Sequence, residues 1–397
     1  FDADQTVGSG QDNYVLTYDH SDGQISLEEA GGGGASTLDD LTDVISNITN
    51  FTDSILISPD GAAPPTGTLS SATYNVGMGK DAFAALESGD YNIAIGANAL
   101  NDLTSGGSNV AIGGWGALEK VTTQSGNVAI GSSAGRYITN GGNNTFVGNN
   151  TGRGNSGGVA ASSNVGIGQE VMYAINGVAN NNVGIGKYAL RDGLTTGDDN
   201  IAIGTSASRN LSTGSQNVIM GYEANDTGVI TGSRNVGIGM QSFRNATSAS
   251  DNVGIGPETF GSGVLTGENN IAIGKTALKV STAAYYNIGI GYWALTANTD
   301  GEKNIAIGAN ALAANTTGDY NIAIGYQALD GSDTESNLIA IGRGALGGTN
   351  QGGAYNIGLG NYALGGATSA TYSIAIGQSA GQQITTGSSN ILLGASA

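Results

Sequence analysis

Aliphatic and small residues alternate in a short motif that recurs along most of the chain. The motif has five positions, numbered 0 to 4, and residues 92–96 (Asn-Ile-Ala-Ile-Gly) are one copy. Nineteen copies follow one another from Asn75, and the interval between their starts is 17 or 18, with a single longer one of 20 after Asn144. A fixed period of this kind is typical of a solenoid, in which each repeat forms one coil. The pattern therefore predicts an all-β protein with a parallel β-solenoid (β-roll or β-helix) of about nineteen coils over residues 75–397.

Four of the five positions predict the structure of a coil. Positions 1 and 3 are aliphatic in almost every copy, and since alternate residues of a strand share a face, we expect them to fill the coil. Position 0 is Asn in seventeen copies, which favours hydrogen bonds to adjacent backbone, and position 4 is always Gly, which indicates a positive φ. The predicted structural ladder is represented by Asn92, Ile93, Ile95, Gly96, Asn304, Ile305, Ile307 and Gly308.

Position 2 is Gly or Ala in sixteen copies. It is expected to face the side opposite to positions 1 and 3, where a solvated strand would ordinarily carry Thr, Lys, Ser or Glu. A column of small residues instead predicts close packing, against another chain or against another part of the same coil. We favour another chain, in an intertwined or side-by-side homotrimer with Ala94, Ala111, Ala306 and Ala323 at the interface. The larger residues at this position are then expected where the partner's surface is displaced: Phe146, Ile219 and Leu392.

The segment before Asn75 has a different pattern. Alternation at residues 14–18 and 25–27, around a Ser-Asp-Gly turn, predicts a small N-terminal β attachment module over residues 1–30. Residues 31–74 begin with four glycines and continue with apolar residues at heptad spacing from Leu38 to Ile55. That spacing predicts a short helix, in a bundle of three about a symmetry axis, or alternatively a surface loop.

Charge and residue types limit the functional classes. The formal charge is −19, and the segment before Lys80 carries twelve acids without a Lys or Arg. The chain has no cluster of basic residues for nucleic acid and no apolar run long enough for membrane insertion. It has no Cys and one histidine, His20, and the adjacent acids Asp198-Asp199 and Asp39-Asp40 point to opposite strand faces. We therefore expect no enzymatic activity, no metal site and no cofactor.

Aromatic residues recur at two phases of the repeat. One group lies two residues after the Gly of position 4 and supplies candidate ligand contacts: Trp115, Trp293, Tyr188 and Tyr362. The other group directly precedes position 0: Tyr91, Tyr286, Tyr320, Tyr355 and Tyr372. Such rings either cover the corner of the coil or stack on a sugar. Repeated Thr pairs, as at residues 316–317, raise the further alternative of an ice-binding surface.

Residues 321–329, Asn-Ile-Ala-Ile-Gly-Tyr-Gln-Ala-Leu, resemble the repeats of phage tail-fibre proteins and of bacterial trimeric adhesins, whose heads carry a Val-Ala-Ile-Gly motif. Those heads are left-handed parallel β-rolls wound as trimers, with shorter coils than those here. The modules at residues 15–18, 31–34 and 38–44 are similar to virion proteins of marine and cyanobacterial phages.

The resemblance implies a structural virion fibre (tail or head fibre) that serves as a rigid shaft and host-adsorption surface. Its expected location is the virion, and its expected partners are itself, other virion structural proteins bound through the N-terminal region, and a host receptor or glycan. The alternatives are a trimeric adhesin on the bacterial cell surface and, third, an ice-binding or filament-forming structural solenoid.

Overall fold

The computed structural model describes residues 14–18, 25–29, 44–48, 51–57, 70–193, 196–348 and 353–397. Within these ranges the regular secondary structure is β-strand, and no helix is present. The chain forms two compact units, residues 1–163 and 164–397, which are described separately (units 1 and 2). The strands are β1 (Tyr14–Tyr18), β2 (Ile25–Glu29), β3 (Val44–Ile48), β4 (Phe51–Ile57), β5 (Ala72–Thr73), β6 (Val76–Met78), β7 (Ile93–Ile95), β8 (Val110–Ile112), β9 (Val128–Ile130), β10 (Thr145–Val147), β11 (Val165–Ile167), β12 (Val183–Ile185), β13 (Ile201–Ile203), β14 (Val218–Met220), β15 (Val236–Ile238), β16 (Val253–Ile255), β17 (Ile271–Ile273), β18 (Ile288–Ile290), β19 (Ile305–Ile307), β20 (Ile322–Ile324), β21 (Ile339–Ile341), β22 (Ile357–Leu359), β23 (Ile374–Ile376) and β24 (Ile391–Leu393).

Two antiparallel strand pairs precede the repeats in unit 1. β1 pairs with β2, with Tyr14 opposite Glu29, at the place where the alternation predicts a hairpin. β3 pairs with β4 in the segment where the heptad spacing predicts a helix, so that prediction is wrong over residues 44–48 and 51–57. The Val, Ile and Thr residues of this segment are poor helix formers and favour strands. Residues 30–43 lie outside the described residues.

The coils confirm the predicted parallel β-solenoid. Unit 1 contains five motif copies and unit 2 contains fourteen, and each copy forms a three-residue strand. Neighbouring strands pair in parallel and in register, so that Ile305, Ala306 and Ile307 lie beside Ile322, Ala323 and Ile324. At a strand spacing of ~4.8 Å, the thirteen steps of unit 2 extend for roughly 60 Å.

The strands face the opposite way from the expectation. The middle residue, at position 2, points into the coil, and Ala306 is 0 % exposed. Positions 1 and 3 point outward, and Ile307 is 38 % exposed. The wall opposite the strand supplies Ala at position 7 and Leu at position 8, such as the fully buried Ala311 and Leu312. The predicted filling of the coil by positions 1 and 3 is therefore wrong, because the space between the two walls admits only a small residue opposite Leu.

Large residues at position 2 are accommodated inside the coil rather than at a displaced partner. Phe146 is fully buried, and the residue facing it at position 8 is Gly152, where a Cβ would overlap the Phe146 ring. The reverse pairing also occurs, since a Cβ on Gly254 would lie 3.1 Å from Cδ2 of Phe260, at position 8 of that coil. Positions 2 and 8 thus share one limited volume, in keeping with the close packing of protein interiors.

The Asn residues at position 0 form the predicted ladder. Asn92 is fully buried; its backbone N–H donates to Oδ1 of Asn75 at 2.9 Å, and its Nδ2 donates to the carbonyl of Gly106, also at 2.9 Å. The same pattern recurs at Asn304 and Asn321. Each buried amide therefore satisfies backbone groups at a corner that the strands leave unpaired.

Unit 1 begins this ladder one strand before the first motif copy. Oγ of Ser54 accepts the backbone N–H of Asn75 at 2.8 Å, and the Ile55 N–H donates to the Asn75 carbonyl at 2.9 Å. β4 pairs in parallel with β6, and Leu56 points inward with 4 % exposure. Ser54 to Ile57 therefore take the places of positions 0 to 3, at the end of the segment whose heptad spacing predicts a helix or a surface loop.

A second pair of buried Asn side chains lies at position 11 of two consecutive coils in unit 2, and the repeat pattern did not predict it. Nδ2 of Asn315 donates to Oδ1 of Asn298 at 2.7 Å, and both side chains are fully buried at a position where several other coils have Leu or Ile. Nδ2 of Asn298 also donates to the carbonyl of Gly301 at 2.9 Å. The signal was present, since the two Asn residues occupy the same phase of consecutive repeats.

The corners of each coil rely on left-handed backbone. The glycine of position 4 has positive φ, 122° at Gly96 and 136° at Gly308, as predicted. Position 8 also has positive φ, 50° at Leu312, although its side chain is large and buried. Burial of the side chain offsets the ~1–2 kcal/mol that this conformation costs a residue other than glycine.

Candidate interaction surface

The outward side chains of positions 1 and 3 form an apolar surface in both units, which we call the aliphatic face. Of its 38 positions (two in each of nineteen coils), 37 carry an aliphatic residue and one carries Thr145. Many of these side chains are more than one-third exposed, including Met78, Ile341 and Ile376 at 47, 41 and 42 %. Single exposed aliphatic residues are ordinary, but a continuous apolar patch indicates a contact surface.

The residues predicted to form the oligomer interface do not lie on the aliphatic face. Ala94, Ala111, Ala306 and Ala323 are each 0 % exposed within one chain. They contact the interior of their own coils, so no second chain reaches them. The prediction that they form an oligomer interface is therefore wrong, and the residues that a second chain can contact are the Val and Ile residues on either side of each Ala.

Tyrosines directly before position 0 border the aliphatic face. Tyr355 and Tyr372 stack with ring centroids 5.0 Å apart and an interplanar angle of 2°, and Tyr74 and Tyr91 stack at 4.9 Å and 12°. All four are 50–62 % exposed. Because neighbouring rings cover each other, these residues fit the interpretation of aromatic packing along the corner.

Aromatic residues at position 6 border the other side of the strands, and three of the four have partners in their own unit. Trp293 stacks on Tyr292 with centroids 5.1 Å apart. The Tyr188 ring lies beneath Nζ of Lys187 at 4.6 Å and Cζ of Arg191 at 4.9 Å. Cζ of Arg343 lies 5.6 Å from the centre of the Tyr362 ring. The fourth residue, Trp115, is 76 % exposed.

Ion pairs join neighbouring coils on the side of each unit that follows this corner. In unit 1, Oε2 of Glu119 lies 2.6 Å from Nε of Arg136, and Oε1 lies 3.0 Å from Nζ of Lys120. Burial alone would raise the pKa of Glu119, but hydrogen bonds from Lys120 and Arg136 and their positive charges hold it below its ordinary value. The hydrogen bond from Lys120 to Glu119, with a second to Asp102, raises the pKa of Lys120.

Unit 2 continues with ion pairs of its own and one poorly compensated acid. Arg191 pairs with Glu170 at 2.8 Å, and Arg209 pairs with Asp192 at 2.8 Å. Asp226 comes in the coil after Arg209; burial raises its pKa, although Arg209 and Arg244 lower it in part, and its Oδ1 is buried without a hydrogen-bond partner. These contacts connect coils and place no acid and base together in a cleft.

The repeated threonines donate to the next coil. Oγ1 of Thr299 donates to the carbonyl of Thr316 at 3.2 Å, and Oγ1 of Thr282 donates to that of Thr299 at 3.1 Å. Thr104, Thr266 and Thr368 do the same. Because these hydroxyls hold one coil to another, they fit turn chemistry better than a surface that orders water.

The described residues contain no group of three or more His, Asp or Glu side chains arranged to hold a metal ion. Oδ1 of Asp198 accepts a hydrogen bond from the backbone N–H of Asn180, and the backbone N–H of Asp198 donates to Oγ of Ser215 at 3.1 Å. This acid therefore links its coil to the coils before and after it. His20, Asp39 and Asp40 lie outside the described residues. In the part of the chain that is described, no helix has the length and apolarity to cross a membrane.

Comparison with known protein families, with curated proteins and with solved structures finds no match to this chain.

Proposed function

We propose that the protein is a structural fibre protein of a phage virion, and that three copies associate through the aliphatic face. The observation that carries this proposal is the outward aliphatic side chain at two positions of nearly every coil. The β-solenoid is itself a fibrous fold in which each coil bonds to its neighbours. The resemblance of the repeats to phage tail fibres and trimeric adhesin heads favours three copies.

The exposed area of the aliphatic face supports this assembly. Burying the exposed third of an Ile side chain contributes roughly 0.5–1 kcal/mol. Nine of the 28 outward positions of unit 2 (two in each of fourteen coils) are more than one-third exposed. Burying these nine contributes roughly 5–9 kcal/mol, which is comparable with the ~4–15 kcal/mol that association costs, and the less exposed positions add to it. Buried small residues and exposed large aliphatic residues suit a chain whose outer sheet surface is covered by copies of itself.

The assembled shaft would be a rigid spacer and a host-contact surface, attached to the virion through the acidic N-terminal region. The alternative, a bacterial surface adhesin, would share the architecture and differ in location. Mass spectrometry of purified virions separates the two, since a fibre protein co-purifies with particles. An adhesin would instead be recovered with the bacterial envelope, and its full gene would encode a signal peptide and a membrane anchor.

Charge placed on the aliphatic face tests the assembly. We expect the double substitution Ile322→Lys and Ile324→Lys to convert the trimer to monomers, because six lysines would meet in an apolar interface. The coil should remain folded, since both side chains point away from its interior. Sedimentation velocity measures the oligomer, and circular dichroism measures the fold.

The matched control is Thr317→Lys, which adds a charge at an exposed corner away from the strand. This variant should sediment like the wild type. A wild-type protein that sediments as a monomer at micromolar concentration would refute the assembly, and so would a trimer that is unaffected by the two lysines.

A further inference from the structure

Trp115 is the most exposed aromatic side chain among the described residues, at 76 %. The three other aromatic residues at position 6 lie against a ring or a cation of their own unit, as described above. Trp115 makes no ring or cation contact within the described part of the chain. Its indole faces are not covered by a ring or a cation of the described residues, so they are free to stack on a ligand.

The corner that carries Trp115 differs from that of every other coil. In the coil starting at Asn92, Ala and Leu occupy positions 7 and 8, but in the coil starting at Asn109 they come one residue later, as Ala117 and Leu118. The extra residue lies in the Gly-Gly-Trp-Gly segment from Gly113 to Gly116. Oγ of Ser133 donates to the Trp115 carbonyl at 3.0 Å, which fixes this enlarged corner.

A Cβ on Gly116 would overlap the Glu119 carboxylate, but that charge is paired with Arg136 and Lys120. The adjoining residues Asn98, Ser132 and Ser133 are neutral hydrogen-bonding groups. The Gly116 N–H donates to the Ala97 carbonyl at 3.0 Å, so Gly116 lies beside Asn98, at position 6 of the preceding coil, and Trp115 directly precedes Gly116. The Asn98 side chain has no hydrogen-bond partner among the described residues. On the following coil, positions 5 and 6 are Ser132 and Ser133. In other coils the same two positions carry charged residues, such as Lys80 and Asp81 in unit 1 and Lys187 and Glu223 in unit 2.

We propose that Trp115 and Asn98 form a binding site for a neutral saccharide. The indole presents an electron-rich face to the polarised C–H groups of a sugar ring, and the Asn98 amide donates to and accepts from its hydroxyls. A second copy of the chain is a poorer occupant, because Trp115 lies beyond the Gly113 corner and its neighbours are polar rather than aliphatic. The site gives a ligand class to the host-contact role proposed above, and its biological meaning rests on that role.

The two tryptophans of the chain allow a sharp test on the full-length protein. The probe is a printed array of neutral oligosaccharides, followed by calorimetric titration with the strongest binder. We expect Trp115→Ala to weaken binding at least tenfold and Asn98→Ala to weaken it severalfold. The matched control Trp293→Ala removes a tryptophan that has a ring partner, and should bind within twofold of the wild type. In Trp293→Phe, Trp115 is the sole tryptophan, and its emission should shift when the saccharide binds.

Three results would overturn the proposal: no oligosaccharide on the array binds the wild type, Trp115→Ala and Trp293→Ala weaken binding equally, or Trp115→Ala changes the sedimentation coefficient. The last result would assign Trp115 to a contact between copies. Failure of the saccharide site leaves the fibre proposal standing, because the oligomer and its response to Ile322→Lys and Ile324→Lys are measured without a saccharide.

Discussion

A residue at position 2 and the residue facing it at position 8 divide one small interior space. Where position 8 is Phe, as at Phe83 and Phe260, position 2 is Gly; where position 2 is Phe146, position 8 is Gly152. A Cβ at Gly77 would lie 3.0 Å from Cδ2 of Phe83, which shows the contact directly. Exchange of volume between two positions is what a close-packed interior of fixed width requires.

This exchange predicts that one destabilising substitution will rescue another. Phe146→Ala should cost about 3–5 kcal/mol by leaving a cavity, and Gly152→Leu should cost about 1–3 kcal/mol by overpacking. Together they recreate the common pair of Ala at position 2 and Leu at position 8. The backbone permits the change, since φ is 59° at Gly152 and 50° at Leu312. Urea unfolding of the four proteins should show that the double variant regains at least half of the loss in Phe146→Ala.

A double variant whose loss equals the sum of the two single losses would contradict the shared space, because independent sites add. The shared space of positions 2 and 8 also explains why the predicted orientation of the strands is wrong. Alternation shows which residues share a face, but it does not show which face lies inside. The assignment of the larger aliphatic residues to the interior failed because a coil this narrow has room for Ala opposite Leu. The pairing of Phe146 with Gly152 was the signal, visible in the sequence, that position 2 lies inside.

At the scale of the element, the coil is recognisable from sequence and the segments without a repeat are not. The regular period, the Asn ladder and the glycine of position 4 all appear in the structure as predicted. The segment around Ile45 and Ile55 has apolar spacing that suits a helix, yet β4 is drawn into the sheet by parallel pairing with β6. Pairing with a neighbouring strand is a tertiary contact, and the spacing of apolar residues within one segment does not predict it.

The charged side of the coils makes stability depend on pH in a definite direction. Glu119 has a lowered pKa in the folded protein, so it stabilises the fold above its ordinary value of 4.5 and loses that contribution as the pH falls through its folded value. Glu119→Gln should therefore be less stable than the wild type at pH 6, and the difference should shrink towards pH 3. Urea unfolding across this range measures the two free energies.

Asp226 provides a control of opposite sign. Burial raises its pKa, so its contribution to stability is full below its ordinary value of 3.8 and is lost as the pH rises through its folded value. Asp226→Asn should consequently gain stability relative to the wild type between pH 3 and pH 6. Curves that run parallel to the wild type for both variants would show that neither carboxyl is linked to folding.

At the scale of the whole molecule, net charge opposes the association that we propose for the aliphatic face. One chain carries −19 at pH 7, so three copies carry −57 (three times −19). Salt screens the repulsion between copies, since the Debye length falls from about 10 Å at 0.1 M to 3 Å at 1 M. The contribution of apolar burial to association is not weakened by this screening. We expect the dissociation constant of the trimer to fall severalfold between 0.05 and 0.5 M NaCl, as measured by sedimentation equilibrium. Dissociation on adding salt would instead indicate an interface held by ion pairs.

The candidate surfaces could be predicted only in part. The phase of Trp115, Trp293, Tyr188 and Tyr362 is visible in the sequence, and the structure leaves Trp115, Trp293 and Tyr362 exposed and Tyr188 half-buried. Their difference is not visible, since it depends on which side chains of neighbouring coils lie over each ring. Arg343, for example, lies over both Tyr326 and Tyr362, on the coils before and after its own.

The Asn ladder also makes the length of the protein adjustable. Each Asn offers the next coil the same acceptor that it receives from the preceding one, whether the step is the shorter one, as from Asn287 to Asn304, or the longer one, as from Asn252 to Asn270. Extra residues are absorbed at the corners and leave the motif unchanged. A gene can therefore gain or lose whole coils by duplication or deletion while the Asn hydrogen bonds between the remaining coils stay the same. Each coil added or removed changes the length of the stack by ~4.8 Å.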